Sequence, residues 1–154
     1  MGGGFVDIPG AAVDEVREGE VAVEIARIDD VLPAGQAVDL IKIDAEGFEP
    51  LVLRGMAGIL ARSPHAAIVI EIGVAQWARF GDPMAILEGA RGDRAAYLIG
   101  HDGRLSPLTV DQIGGVLTPD FVSYVLLLPR VAEMEAAIAK FVDAAPAPEG
   151  AALH

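Results

Sequence analysis

No cysteine occurs among the 154 residues, which excludes disulfide staples, thiolate metal sites and a thiol nucleophile and leaves the redox compartment open. Also missing is an apolar run of the roughly 18 residues needed to cross a bilayer. The longest such runs, around Ala66–Ile72 and Val122–Leu128, have strand length. The opening M-G-G-G-F-V-D-I-P-G has no basic region and no apolar stretch of signal-peptide length. A cytoplasmic location and no membrane partner are therefore expected. A basic stripe is absent as well: Arg17, Arg27, Lys42, Arg54, Arg62 and Arg79 stand singly in a chain of formal net charge −12. That field repels nucleic-acid phosphates, so no nucleic-acid partner is expected.

Apolar residues, by contrast, are plentiful. They make up 53% of the chain and raise the mean hydropathy to +0.44. With no membrane span to absorb them, the excess predicts strands buried on both faces, as in a parallel sheet covered by helices. The length suits one domain with a genuine core.

Along the chain, residues 1–20 read as a loosely ordered entry segment. Val21–Ile28 reads as a strand, with Val21, Val23 and Ile25 on one face. Asp29 and Asp30 could cap a short turn that Pro33 stops. Asp39–Asp44 is a short apolar strand. Glu49 and Pro50 open a helix carrying Val52, Met56, Ile59 and Leu60, which Ser63-Pro64 ends. Ala66–Ile72 is the next buried strand. Asp82-Pro83 starts another helix, with the aspartate as cap, ending near Gly89–Gly92. Ala96–Ile99 and Arg104–Leu108 form a strand pair joined by the His101–Gly103 turn, which places an antiparallel strand at one edge. Phe121–Leu128 is a last strand, Val131–Val142 has helical character, and residues 144–154 read as a disordered tail. Strands alternating with helices imply an α/β fold with right-handed crossovers.

The sharpest signal is V-D-L-I-K-I-D-A-E-G-F-E (Val38–Glu49), followed by V-L-R-G (Val52–Gly55). R-I-D-D (Arg27–Asp30) lies upstream and A-I-V-I-E-I (Ala67–Ile72) downstream. In this order and spacing, over residues 21–73, the chain resembles the FkbM family of methyltransferases, and specifically the C-terminal part of their domain. Beyond residue 80 the likeness is architectural. The resemblance implies a partial class I methyltransferase sheet over residues 21–143, Rossmann-like and mostly parallel with an antiparallel edge strand. It implies S-adenosylmethionine as cofactor and O-methylation of a hydroxyl on a sugar or other small molecule. The glycine-rich cofactor loop of such enzymes has no counterpart: Met1–Gly4 lacks the preceding strand and following helix that loop requires. The cofactor-binding residues are left unassigned. The expectation is a chain that either works with a missing N-terminal half or pairs as a homodimer. A non-catalytic remnant or dimerising module of the same fold, or an unrelated doubly wound binding domain, is the alternative.

Ligands of open α/β sheets bind outside the carboxyl ends of the strands. Asp44 ends one strand, Glu46 lies in its loop and Glu71 sits near the end of the next. These three carboxylates are the candidate catalytic residues, because a hydroxyl acceptor must lose its proton during methyl transfer. Ordinary roles compete. Asp44 could cap the following helix, Glu49 suits the first helical turn, and Glu71 could pair with Lys42. Asp44 and Glu46 could instead hold Mg²⁺, but no histidine stands beside them, and no metal site is assigned. Trp77 and Phe80 could line an acceptor pocket or cover the sheet. His65 and His101 read as solvent-facing, and His154 is terminal.

Overall fold

The computed structural model describes residues 25–108, 118, 120 and 122–143. The entry segment, most of the first expected strand and the tail fall outside these residues. Where Val21–Ile28 becomes described it is not a strand: residues 25–27 are irregular, and Ile28 opens a single helical turn, α1 (Ile28–Val31).

The β-branched run after Asp39 forms β1 (Leu40–Ile43), with Ile41 and Ile43 buried and Leu40 and Lys42 exposed. The expected single helix after it is two, α2 (Glu49–Gly55) and α3 (Ala57–Arg62), broken at Met56. The break has a tertiary cause. Asp29 of α1 accepts hydrogen bonds from the amides of Gly58 and Ile59, at 2.9 and 2.8 Å. It thus caps α3 rather than its own turn, and those amide bonds hold its carboxyl below the usual aspartate range, with Arg62 and Arg27 helping. β2 (Ala67–Gly73) runs directly into α4 (Val74–Trp77). α5 (Pro83–Arg91) begins as its sequence requires: Asp82 accepts the Met84 amide at 3.0 Å, and Pro83 takes the first turn. Next come β3 (Ala95–Ile99), β4 (Leu105–Leu108), β5 (Val122–Leu128), α6 (Ala132–Ile138) and a 3₁₀ turn (Ala139–Phe141).

The five strands form one sheet in the order β1-β2-β5-β3-β4. Only β1 and β2 are parallel neighbours, with Leu40 to Ile43 facing Ala67 to Ile70. The other three pairings are antiparallel. The expectation of a mostly parallel sheet is therefore corrected. The β3–β4 hairpin and its edge strand were legible, because a short turn can join only antiparallel strands. The insertion of β5 between β2 and β3 was not, since nothing in a strand's own sequence names partners far along the chain. β1, β2 and β3 nevertheless point the same way, and only β5 and β4 run back. Leu105 bridges to Val142, and Asp143 donates its amide to the Leu105 carbonyl at 2.9 Å, covering part of the outer edge of β4.

The core lies on one side of this sheet. Ile41, Ile43, Ile68, Ile70, Ile72, Val125 and Leu127 pack against Leu53, Met56, Ile59, Trp77 and Leu87 from the helices. Burial alternates along β1, β2 and β5, so their other face, carrying Lys42, Val69, Glu71, Tyr124 and Leu126, is exposed to half-buried. The expectation of strands buried on both faces holds for one face only. Among the described residues, no helix is long and apolar enough to cross a membrane.

Candidate active site

The carboxyl ends of β1, β2 and β3 meet along one rim, which the start of β5 joins: Gly73 faces Val122, and both Glu71 and Ile99 face Tyr124. The loop leaving β1 is tightly wound. Glu46 has φ 51° and Gly47 φ 92°, two successive left-handed residues. Such a conformation costs a non-glycine residue about 1–3 kcal/mol, sustained only when the surroundings enforce it. The enforcing group is Glu49, fully buried at the start of α2. Its Oε1 accepts the amides of Ala45 at 2.8 Å and Gly47 at 3.1 Å. Its Oε2 accepts the Trp77 indole N–H at 3.0 Å. One carboxyl group thus ties the β1 loop to α4. Gly47 is needed for space as well as for its φ: a Cβ there would lie 2.7 Å from Cβ of Gln76.

On the open face of the sheet, Lys42 and Asp44 are two residues apart and so project to the same side. The Lys42 ammonium donates to Asp44 Oδ2 at 2.7 Å, and the Tyr124 hydroxyl donates to the same oxygen at 2.9 Å. Lys42 also lies 5.4 Å from the Tyr124 ring centre. The hydrogen bonds from Lys42 and then Tyr124 lower the Asp44 pKa. The same contact with Asp44 is the main reason the pKa values of Lys42 and Tyr124 rise. Glu71 goes the opposite way. Burial pushes its pKa above the ordinary glutamate value, the charges of Asp44, Glu49 and Glu46 push it further, and Lys42 opposes them. Two carboxyl groups on one rim are therefore driven apart in acidity.

Of the three candidate residues, Asp44 and Glu71 stand on the same face, one strand apart, with Tyr124 beyond Glu71. Glu46 is exposed in the strained loop, near enough for Glu71 to feel its charge. Lys42 pairs with Asp44 rather than with Glu71. Sequence reasoning passed over Tyr124 and the true reach of Glu49. A signal for Tyr124 was available, as a polar residue on the face of V-S-Y-V-L-L-L opposite Ser123, Val125 and Leu127. Glu49 offered none, because first-turn acids are common on any helix. Trp77 is a core residue. Phe80 meets Phe48 at a 54° tilt, with 5.9 Å between ring centres. His101 is an exposed turn residue, and His65 is exposed as well, 3.2 Å from the exposed Asp39. Among the described residues, no group of three or more His, Asp or Glu side chains is arranged to hold a metal ion.

A family model described as the methyltransferase FkbM domain matches residues 6–97, more than half of the chain. The match lies in the N-terminal part of the chain and is wider than residues 21–73: family-like sequence begins at residue 6, upstream of the expected start, and continues through α5 into β3. No curated protein matches, and no solved structure does.

Proposed function

We propose that this chain, which belongs to the FkbM methyltransferase family, is an S-adenosylmethionine-dependent O-methyltransferase acting on a hydroxyl of a sugar or other small molecule. In this reading Glu71 is the base that takes the acceptor proton and Asp44 is the carboxylate that stays ionised beside it. The observation carrying it is the divergence of these two groups on one rim: burial raises Glu71, while Lys42 and Tyr124 hold Asp44 low. Opposed acidity in neighbouring carboxyl groups is how a site divides the work of base and charge partner at one pH. A carboxylate held low is a weak base, whereas a raised one accepts a proton more readily near neutrality.

The rim fits the cofactor's chemistry. S-adenosylmethionine supplies, when bound, a methyl group on a positively charged sulfonium, and the negative charges of Asp44, Glu46 and Glu71 suit that cation. The chain's own residues do the rest. Glu71 would receive the proton as the acceptor oxygen bonds to the methyl carbon, whose bond to sulfur would break to leave a neutral thioether. Lys42 and Tyr124 keep Asp44 in one orientation, and Glu49 fixes the loop that carries Glu46. Positioning of this kind can contribute about 7–11 kcal/mol to a displacement reaction. The reading of the fold as part of a class I methyltransferase sheet draws support from β1, β2 and β3 running the same way, with the reversed β5 set between two of them.

Calorimetric titration of the protein with S-adenosylmethionine tests the cofactor assignment, and methyl transfer from an isotopically labelled donor to a panel of sugars tests the reaction. Glu71→Gln is expected to lower turnover by about 10²–10⁴-fold, the usual contribution of a general base, with cofactor affinity little changed. Failure of both this chain and one extended upstream to bind the cofactor overturns the reading.

A further inference from the structure

Beside the acidic rim lies a small cationic feature that the proposed chemistry leaves unused. Arg79, two residues past α4, sets its guanidinium 5.4 Å from the Phe48 ring centre and 5.3 Å from that of Phe80. Its Nε donates to the Gln76 carbonyl at 3.1 Å. Arg54 reaches the same place from α2 and donates to the Phe80 carbonyl at 2.8 Å. Among the described residues neither arginine forms an ion pair. Arg27, Lys42, Arg62, Arg91 and Arg104, by contrast, each have a carboxylate within 4 Å. Arg94, Arg130 and Lys140 likewise form no ion pair among the described residues, but in this chain of net charge −12 Arg79 is the cation set against two rings at once.

Position ties this feature to the rim. A Cβ on Gly47 would lie 3.4 Å from Nη2 of Arg79, so the guanidinium rests against the loop that carries Glu46. The arginine is held by a backbone acceptor through Nε and by two rings, which leaves both terminal nitrogens of the fork without a protein acceptor among the described residues. Such a planar fork, oriented before any ligand arrives, matches the paired oxygens of a carboxylate or phosphate. The side chain is exposed, but these contacts restrain it, so less entropy is lost on binding than for an unrestrained arginine.

We infer that Arg79, with Arg54 behind it, is an oxyanion subsite that selects methyl acceptors bearing a carboxylate or phosphate group near the reacting hydroxyl. The inference rests on the methyltransferase reading and names its substrate class. An anionic acceptor also gives Arg79 a task that Lys42, already paired with Asp44, does not have: it binds the acceptor's charge while the carboxylates face the hydroxyl and the sulfonium.

The test uses the whole protein with glucose, glucuronate and glucose 6-phosphate as paired probes. Arginine Nε–Hε resonances of ¹⁵N-labelled protein are followed as each probe is added. The Arg79 signal is expected to move with glucuronate or glucose 6-phosphate, at least about tenfold more tightly bound than glucose, as a bidentate charged contact predicts. The comparison of the two anions tells which oxyanion is preferred. Arg79→Gln should erase the preference, and Arg79→Lys should restore part of it without the fork. Equal affinity for all three sugars, or an unmoved Arg79 signal, overturns the inference even if S-adenosylmethionine binds. Failure of both this chain and one extended upstream to bind the cofactor, with the anion preference intact, overturns the methyltransferase reading instead.

Discussion

Replacing Glu49 by glutamine changes one atom in a fully buried side chain, and the structure specifies what that atom does. The carboxyl accepts two backbone amides on Oε1 and the Trp77 indole on Oε2. A glutamine keeps one acceptor oxygen. If that oxygen stays on Ala45 and Gly47, the new NH₂ group faces the indole N–H at the former 3.0 Å contact, and two buried donors lose their acceptors. The opposite amide orientation leaves both loop amides unserved and is worse. At about 1–3 kcal/mol for each unsatisfied buried group, Glu49→Gln should cost about 2–6 kcal/mol. Urea unfolding followed by circular dichroism measures this directly. Trp77 is the single tryptophan, so its emission reports the same contact and should shift to the red. In a double-mutant cycle, Trp77→Phe removes the conflicting indole donor. The pair should then cost less than the sum of the singles by about 0.5–3 kcal/mol. A Glu49→Gln protein within about 0.5 kcal/mol of wild type, the range of an ordinary surface change, with unshifted emission, would refute the claim that this carboxyl holds the loop.

Further outcomes follow from other groups. Gly47→Ala should destabilise the protein by about 1–3 kcal/mol, because φ is 92° and the new Cβ meets Gln76 at 2.7 Å; denaturant midpoints measure it. Glu71 has a raised folded-state pKa, so its contribution to stability is fully present below the unfolded value and is lost as pH rises through the folded one. Glu71→Gln should accordingly raise the melting temperature at neutral pH and leave it unchanged at pH well below 4.5; thermal melts across pH check the sign. Asp29 and Asp44 have lowered values, so what they contribute is present above 3.8 and is lost as pH falls through their folded values. Asp29→Asn should flatten that acid limb and weaken α3, visible as faster amide exchange at Gly58 and Ile59. Tyr124→Phe removes one of the two donors to Asp44 and should raise the Asp44 pKa, which carboxyl ¹³C titration reads.

The pattern of residues along the chain determined a good deal unaided. Period-two alternation and β-branching marked β1, β2 and β5, and an aspartate followed by proline marked the start of α5. K-I-D-A-E-G-F-E carried the family likeness through to the loop where the candidate carboxylates lie. These features are local: a strand's faces, a capped helix and a tight turn are set by neighbours a few residues away. What the tertiary structure alone decided was long-range. It set β5 between β2 and β3, so that the sheet is mostly antiparallel and Tyr124 reaches Asp44 across Glu71. It also split one expected helix by lending Asp29 to α3. Finally, it buried Glu49 against Trp77, 28 residues away. Strand partners and hydrogen-bond acceptors that lie far apart in the chain leave no periodic trace in either segment. The acidity of each carboxyl group depends on those distant partners, so the opposed shifts of Asp44 and Glu71 emerge only once the sheet has assembled.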